Sequence, residues 1–478
     1  MTPEIYTNVT ILDAGSEGKA VARVNDLVIF VPFVVPGDVV DIRVTRRKRN
    51  FLEGKAIKFH HYSEKRAEAF CEHFGTCGGC RWQNMGYEGQ LFYKQKQVVD
   101  ALQRIAGIED PGVSPILPAA KTKYYRNKLE FTFSNRRWLL DPDKETEREA
   151  HEMNALGFHL PTFFDRVLDI NNCYLQREPS NSIRREAKKY ALEHQLTFYD
   201  PRTWQGFLRN LLIRTSENGG VMVILVFRTD EPEEIRSMLD HLAAAFPEIT
   251  SLYYVINPKK NDVINDLELI LYKGDPWITE TFPAYRSGRM LEFRIGPVSF
   301  FQTNTPQAVE LYRTAADFAG LEGFETVYDL YTGIGTIASF IAGSAGKVIG
   351  IDSVPAAVND ARENAVHNGI RNVVFHAGEL EKMLDREFVR ENGVPDLVIT
   401  DPPRSGMHAR VTREILAMAP PRIVYVSCNP ATQARDILLM KEQYELVKCQ
   451  PVDMFPHTQH VENVALLVRK DATGNGPR

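Results

Sequence analysis

The first sixty residues alternate short apolar and polar positions. In "VTILDAGSEGKAVARVNDLVIFVPFVVPGDVVDIRVTRRKRNFLEGKAIKF" the Val and Ile runs are cut by Gly-Ser-Glu-Gly, Pro-Gly-Asp and Glu-Gly. Period-two alternation between turn signals predicts strands, and this spacing predicts a small five-stranded, OB-like barrel over residues 1–62. A helical period comes next in "EGQLFYKQKQVVDALQRIAG", where Leu91, Val98, Leu102 and Ile105 fall roughly on one face of a helix over 86–107. Residues 63–290 mix both periods. "YYRNKLEFTFS", "NGGVMVILVFRT" and "ITSLYYVINP" predict strands, and "SNSIRREAKKYALEHQ" and "EPEEIRSMLDHLAAAF" predict amphipathic helices. The expectation there is a central α+β domain. The tail "DATGNGPR" predicts disorder.

From about 291 to 478 the pattern changes again. "TVYDLY", "KVIGID", "NVVFHAG", "DLVITDPP" and "RIVYVSCNP" are compact apolar strands, most of them separated by helical segments such as "PAAVNDARENAVHNG". That alternation predicts an α/β, Rossmann-like doubly wound parallel sheet. "YELVKCQPVDMF" and "ENVALLVRK" have no helix between them and predict a hairpin at the sheet edge.

The chain has 478 residues, 44% of them hydrophobic and 25% charged, which suits about two to four soluble domains. No run nears the ~18 apolar residues of a membrane span. "MTPEIYTNVT" lacks the basic and apolar blocks of a signal peptide, so the expectation is a cytoplasmic protein with reduced thiols. Net charge is −5, but nine Lys or Arg against two Glu lie between Arg43 and Arg66. A basic segment on an otherwise acidic chain steers phosphate backbones, or is merely a solvated strand edge.

Ligands of open α/β sheets bind beyond the strands' carboxyl ends. After the first such strand comes Gly333-Ile334-Gly335-Thr336-Ile337-Ala338, and nineteen residues after Gly333 stands Asp352, placed to hold ribose hydroxyls. This pattern alone fits NAD, FAD or S-adenosylmethionine, or a tight turn with packing glycines. Later strand ends give Asp401-Pro402-Pro403-Arg404 and Ser427-Cys428-Asn429-Pro430. A lone Cys is commonly a small buried hydrophobe; beside an Asp-Pro-Pro loop at a crevice it reads as a nucleophile. Glu462, in "FPHTQHVEN", stands where a base would, although a lone exposed Glu commonly has no role. Three of the six cysteines fall in "CEHFGTCGGC", a cluster that asks for a fourth ligand elsewhere in the chain. Four thiols suit zinc and an iron–sulfur cluster equally well.

The combination of "SCNPATQARD", "DPPRSGM", "FFQTN", "DLYTGIGTI", "PHTQHVE" and "CEHFGTCGGCRWQ" resembles the RNA uracil-5 methyltransferase family that uses S-adenosylmethionine. The N-terminal segment resembles the TRAM domain of its ribosomal-RNA members. The resemblance implies Cys428 as nucleophile and Glu462 as base. It implies Gln302, Tyr331, Gly333, Asp352 and Asp401 at the cofactor, Phe300 against the target base and Arg126 on RNA. It also implies a [4Fe–4S] cluster on Cys71, Cys77, Cys80 and Cys173, leaving Cys449 as a buried thiol. It favours 23S ribosomal RNA over transfer RNA, and a monomer without membrane contact. The rivals are an amino-group methyltransferase, which typically places an aromatic residue after its Pro-Pro pair where this chain has Arg404, an NAD-dependent dehydrogenase, and a non-catalytic RNA-binding module.

Overall fold

The computed structural model describes residues 4–15, 17–139, 150–161 and 163–473; most of the tail predicted to be disordered lies outside them. Strands β1 (Ile5–Ala14), β2 (Ala20–Val24), β3 (Leu27–Val31), β4 (Val39–Arg47) and β5 (Phe51–His61) close a barrel in the order β1-β2-β3-β5-β4. Alternate side chains fill it: Val9, Ile11, Ala20, Ala22, Ile29, Val31, Val40, Ile42 and Leu52 form one buried cluster. Gly54 is fixed by that filling, since a Cβ there would come within 2.4 Å of Ile42. Two ion pairs tie the barrel to the segment after it. Arg66 makes two 2.8 Å bonds to the buried carboxylate of Asp38, and Lys96 reaches Asp13 at 2.7 Å.

Helix α1 (Tyr87–Arg104) differs from the face its apolar residues predict. Its buried residues are Gln90, Tyr93, Lys94, Val98, Ala101 and Leu102, whereas Leu91 is half-buried and Ile105 exposed. Val98 and Leu102 keep their predicted place, in a cluster with Tyr328 and Tyr425 of the C-terminal sheet and Ile437 of the helix Pro430–Met440. Gln90 and Lys94 turn inward because buried partners await them. Lys94 Nζ donates to Asp453 Oδ1 at 2.6 Å and to the Phe455 carbonyl at 2.9 Å, and both charged side chains are wholly buried.

The central sheet comprises β6 (Lys128–Ser134), β7 (Ala155–Leu160), β8 (Phe163–Asp169), β9 (Leu208–Thr215), β10 (Val221–Phe227), β11 (Ser251–Ile256) and β12 (Leu269–Gly274). Its order is β12-β11-β10-β9-β6-β7-β8, and only β10 and β11 run parallel. Helices α2 (Ser180–Glu193) and α3 (Pro232–Ala245) cover one face. β10 shows how the layers are joined. Val221, Val223, Leu225 and Phe227 pack with those helices, while Met222, Ile224 and Val226 belong to the core of the second sheet. The hairpin of β13 (Ile278–Pro283) and β14 (Met290–Ile295) and helix α4 (Thr305–Ala319) complete that junction.

The second seven-stranded sheet contains β15 (Thr326–Leu330), β16 (Lys347–Asp352), β17 (Val373–Ala377), β18 (Leu397–Thr400), β19 (Arg422–Ser427), β20 (Tyr444–Val452) and β21 (Glu462–Arg469). Its helices are α5 (Thr336–Ile341), α6 (Pro355–His367), α7 (Leu380–Met383), α8 (Arg386–Asn392), α9 (Ala409–Met418) and α10 (Pro430–Met440). The order β17-β16-β15-β18-β19-β21-β20 is parallel from β17 to β19, with the β20–β21 hairpin antiparallel at the edge. No helix among the described residues is long and apolar enough to cross a membrane.

Lys94→Met leaves Asp453 charged, buried and unpaired, and should cost about 3–5 kcal/mol of stability. Chemical unfolding should show the loss, and Lys94→Met with Asp453→Leu should recover much of it; an unchanged single variant would contradict the pairing.

Candidate active site

Sheet register gathers the chemistry. Thr400 pairs with Tyr425 and Ser427 with Asn463, so Asp401, Cys428 and Glu462 stand together at one end of β18, β19 and β21. The loops behind them are locked. Asn429 caps α10 by accepting from Ala431 N at 3.1 Å and donates to the Arg404 carbonyl at 3.0 Å. Gln433 donates to the carbonyls of Tyr425 and Asn463, bracing the two strands that carry Cys428 and Glu462. Asp436 accepts from Tyr425 Oη at 2.7 Å and from Met407 N at 2.8 Å, fixing the segment after Pro403.

The electrostatics arise from crowding acids away from water. Burial first, then the neighbouring Asp401, raise Glu462 well above the ordinary carboxylate range. Asp401 is raised by burial and by Asp329. Burial, followed by the charges of Glu462 and Asp401, pushes the Cys428 thiol up to about 11, and Arg404 opposes this. Asp329, the first residue of the "DLYTGIGTI" motif but given no role from the sequence, is pushed up to about 7 by burial. It accepts from Thr332 Oγ1 at 2.6 Å and Ala338 N at 3.2 Å, so it shapes the glycine-rich loop.

That loop needs unusual backbone. Tyr331, Gly333 and Gly335 have φ of 64°, 57° and 76°. At Gly335 a Cβ would lie 2.7 Å from Phe375, whereas one at Gly333 would meet nothing within 4 Å, so Gly333 faces open space. A small cavity there is lined by Phe300, Gln302, Tyr331, Gly333 and Asp401, with Asp329 and Thr332. Five sequence-predicted residues are thus brought together. Asp352 is outside that lining; its two carboxylate oxygens accept from Gly333 N and Val354 N, each at 2.9 Å. Cys428 and Glu462 are also outside it, linked to it through Asp401.

A second cavity, about 1060 Å³, is lined by Cys71, Cys77, Cys80, Cys173, Arg126, Lys128, Arg214, Phe300 and Phe301, among others. Phe300, 67% exposed, borders both cavities. Arg126 lies beside the fourth cysteine: its backbone N–H donates to Leu175 O at 2.8 Å, and its buried Nε has no hydrogen-bond partner among the described residues. All six cysteines are free thiols. Cys449 is wholly buried and donates to Asn463 Oδ1 at 3.3 Å.

The four clustered cysteines share this cavity, but among the described residues no three His, Cys, Asp or Glu side chains gather as the ligands of a metal ion. Burial pushes Cys80 up to about 12 and Cys173 up to about 11, and raises Cys71 and Cys77. Each sulfur also meets an N–H donor that pulls the other way: backbone donors at Cys71, Cys77 and Cys173, and the Gln83 side chain at Cys80. Gly79 N lies 3.4 Å from Cys77 Sγ. These N–H donors favour the thiolate forms that burial opposes.

A doubly wound sheet whose ligand crevice opens on a glycine loop and an Asp-Pro-Pro turn defines the S-adenosylmethionine-dependent methyltransferase fold. The chain matches the family model "tRNA (Uracil-5-)-methyltransferase" over residues 268–470 and the TRAM domain over residues 6–57. It is 54% identical to an uncharacterized RNA methyltransferase of Bacteroides thetaiotaomicron, over 95% of this chain and 99% of that one. A similar protein of Porphyromonas gingivalis is 50% identical over 96% and 99%. Among solved structures, the tRNA (uracil-54, C5)-methyltransferase of Pyrococcus abyssi, in complex with S-adenosyl-L-homocysteine, superposes with a TM-score of 0.73. It is 28% identical, and the match covers 97% of this chain and all of that one. The chain belongs to the RNA uracil-5-methyltransferase family, with an N-terminal TRAM domain that forms the small barrel.

The charge arrangement is open to test by mass-spectrometric alkylation of Cys428 against pH. Asp401→Asn should raise the thiolate fraction about tenfold at a given pH and Arg404→Gln should lower it. A profile unmoved by both would contradict the electrostatic reading.

Proposed function

We propose that the chain methylates C5 of a uridine in RNA by transient addition of Cys428 to C6. The juxtaposition of Cys428, Glu462 and Asp401 at one sheet end supports this most strongly. Uracil C5 is a weak nucleophile. Addition of the Cys428 thiolate at C6 gives C5 enolate character, and C5 then takes the methyl group. Glu462 removes the C5 proton, the C5–C6 double bond re-forms and the thiolate leaves. Gln302, Tyr331, Gly333 and Asp401, with Asp352 bonded to Gly333 N, would hold S-adenosylmethionine, which when bound would supply an electrophilic methyl group. Burial of both acids keeps protons on Cys428 and Glu462 in the free protein. Activity should therefore rise with pH above the ordinary carboxylate range, as Glu462 becomes able to accept a proton.

The uridine must leave its stack to reach Cys428. Phe300, exposed between the two cavities, is placed to stack on it, and Arg126 to hold the backbone nearby. In this reading residues 1–62 bind RNA, 63–290 carry the cysteine site and further RNA contacts, and 291–478 perform the chemistry. Cys71, Cys77, Cys80 and Cys173 would hold a [4Fe–4S] cluster.

The TRAM barrel and the cysteine set favour 23S ribosomal RNA. The Pyrococcus abyssi relative, a transfer-RNA enzyme, supports transfer RNA as the second reading. Anaerobically purified protein should transfer methyl groups from S-adenosylmethionine into unmodified 23S ribosomal RNA, and nuclease digestion should return 5-methyluridine. Incorporation into transfer RNA alone would move the target. A methylated amino group would overturn the reaction. Cys173→Ser should lose bound iron and its broad visible absorbance; iron retained in full would remove Cys173 from the ligand set.

A further inference from the structure

The connection between β20 and β21 leads directly into Glu462, and elements remote from it in sequence hold it. The last rung of that hairpin is Val452 opposite Glu462. On the next residue, Asp453 accepts from Lys94 Nζ at 2.6 Å and Tyr87 Oη at 2.8 Å. The Phe455 carbonyl accepts from Lys94 Nζ at 2.9 Å and the Pro456 carbonyl from Tyr125 Oη at 3.0 Å. His457, a non-glycine residue at φ 65°, is gripped on both sides of its backbone. Its carbonyl accepts from Arg81 N at 2.9 Å and Trp82 N at 3.0 Å, the two residues after Cys80, and its N–H donates to Gln90 Oε1 at 2.8 Å.

Gln90 closes the circuit. It is wholly buried, and its Nε2 donates to the carbonyls of Trp82 at 3.0 Å and Met85 at 2.8 Å and lies 3.2 Å from His457 Nδ1. One amide therefore ties the cysteine-bearing segment to the connection that leads into Glu462. The barrel meets the same point, since a Cβ on Gly18 would lie 3.0 Å from both Arg81 and Gln459. An end rung of a hairpin is where a ladder opens most readily. Here it is held shut by hydrogen bonds to α1 and to the Cys80 segment.

We propose that Gln90 and His457 position Glu462, so that the cysteine-bearing segment governs the last step of the reaction, proton removal and release of Cys428, and not methyl transfer. The inference rests on the uracil-5 reading above. In that last step the C5–H bond breaks and its proton passes to the Glu462 carboxylate. The C–H electron pair forms the C5–C6 double bond, and the C6–S pair leaves as the Cys428 thiolate. A base moved out of line stalls the enzyme as a C5-methylated, C6-linked RNA adduct, formed on ordinary uridine.

The test uses full-length Gln90→Leu, which keeps the side chain's bulk and removes its hydrogen bonds, with His457→Gly, which keeps the positive φ and removes the ring beside Gln90, as a second variant and Glu462→Gln as the reference. Single-turnover reactions on RNA containing C5-tritiated uridine and S-adenosylmethionine would read three quantities: methyl groups transferred, tritium released, and RNA in denaturant-resistant complex with protein. In Gln90→Leu and His457→Gly, methyl transfer per folded molecule should stay within about threefold of the parent. Tritium release should slow about 10- to 100-fold, with the methylated adduct accumulating as in Glu462→Gln. Parallel loss of methyl transfer and tritium release with no adduct would overturn the proposal, because a merely structural defect gives that result. So would unchanged tritium release. If the parent protein itself places no methyl group on uridine C5, the functional reading fails instead.

Discussion

Three carboxyl groups and a thiol crowd one end of the parallel strands, with Asp329 and Glu462 buried and Asp401 and Cys428 half-buried, and the rest of the site depends on that crowding. Asp329 raises Asp401, Asp401 raises Glu462, and both Asp401 and Glu462 raise Cys428. Unpaired, such acids keep their protons. A cationic ligand received beside Asp401 offsets the repulsion and makes their ionised forms easier to reach. In the function proposed above, a cationic methyl donor and the Cys428 thiol would be matched in this way, and Arg404 already supplies part of the compensation.

The second dependence is mechanical. The barrel, the cysteine segment and the catalytic hairpin converge on Gly18, Arg81, Gln90 and His457. The buried Lys94–Asp453 pair fixes the same connection from one helical turn further along. Such a pair adds little net stability over a well-packed apolar one, but it tolerates only one register of helix against loop. The barrel, the cysteine segment and the hairpin that carries Glu462 come from separate stretches of sequence and share one short connection in space.

Strands were legible where alternation was local. The five barrel strands, the strands beyond 291 and the closing hairpin arise from period-two or compact apolar runs between turn residues. The residues of the small cavity were legible because Gly333, Gln302, Tyr331 and Asp401 sit in distinctive local motifs. The inner face of α1 was not, because Gln90 and Lys94 carry polar side chains that periodicity assigns to solvent; their partners Trp82, Met85, Asp453 and His457 are revealed only by the fold. Asp329 opens the quoted motif "DLYTGIGTI", but a single acid in an apolar strand gives no local sign of its burial near Asp401. The order of the central sheet, with β6 between β9 and β7, depends on pairings between distant segments that leave no local trace.

The central claim is that Cys428 bonds to the target base during turnover. Its most direct measurement is incubation of the protein with S-adenosylmethionine and RNA carrying 5-fluorouridine, followed by denaturing electrophoresis. Fluorine at C5 cannot leave as a proton does, so the account expects a stable protein–RNA band, absent in Cys428→Ala, with peptide mapping placing the link on Cys428. No such band from protein competent in methyl transfer, or an equal band in Cys428→Ala, would contradict it.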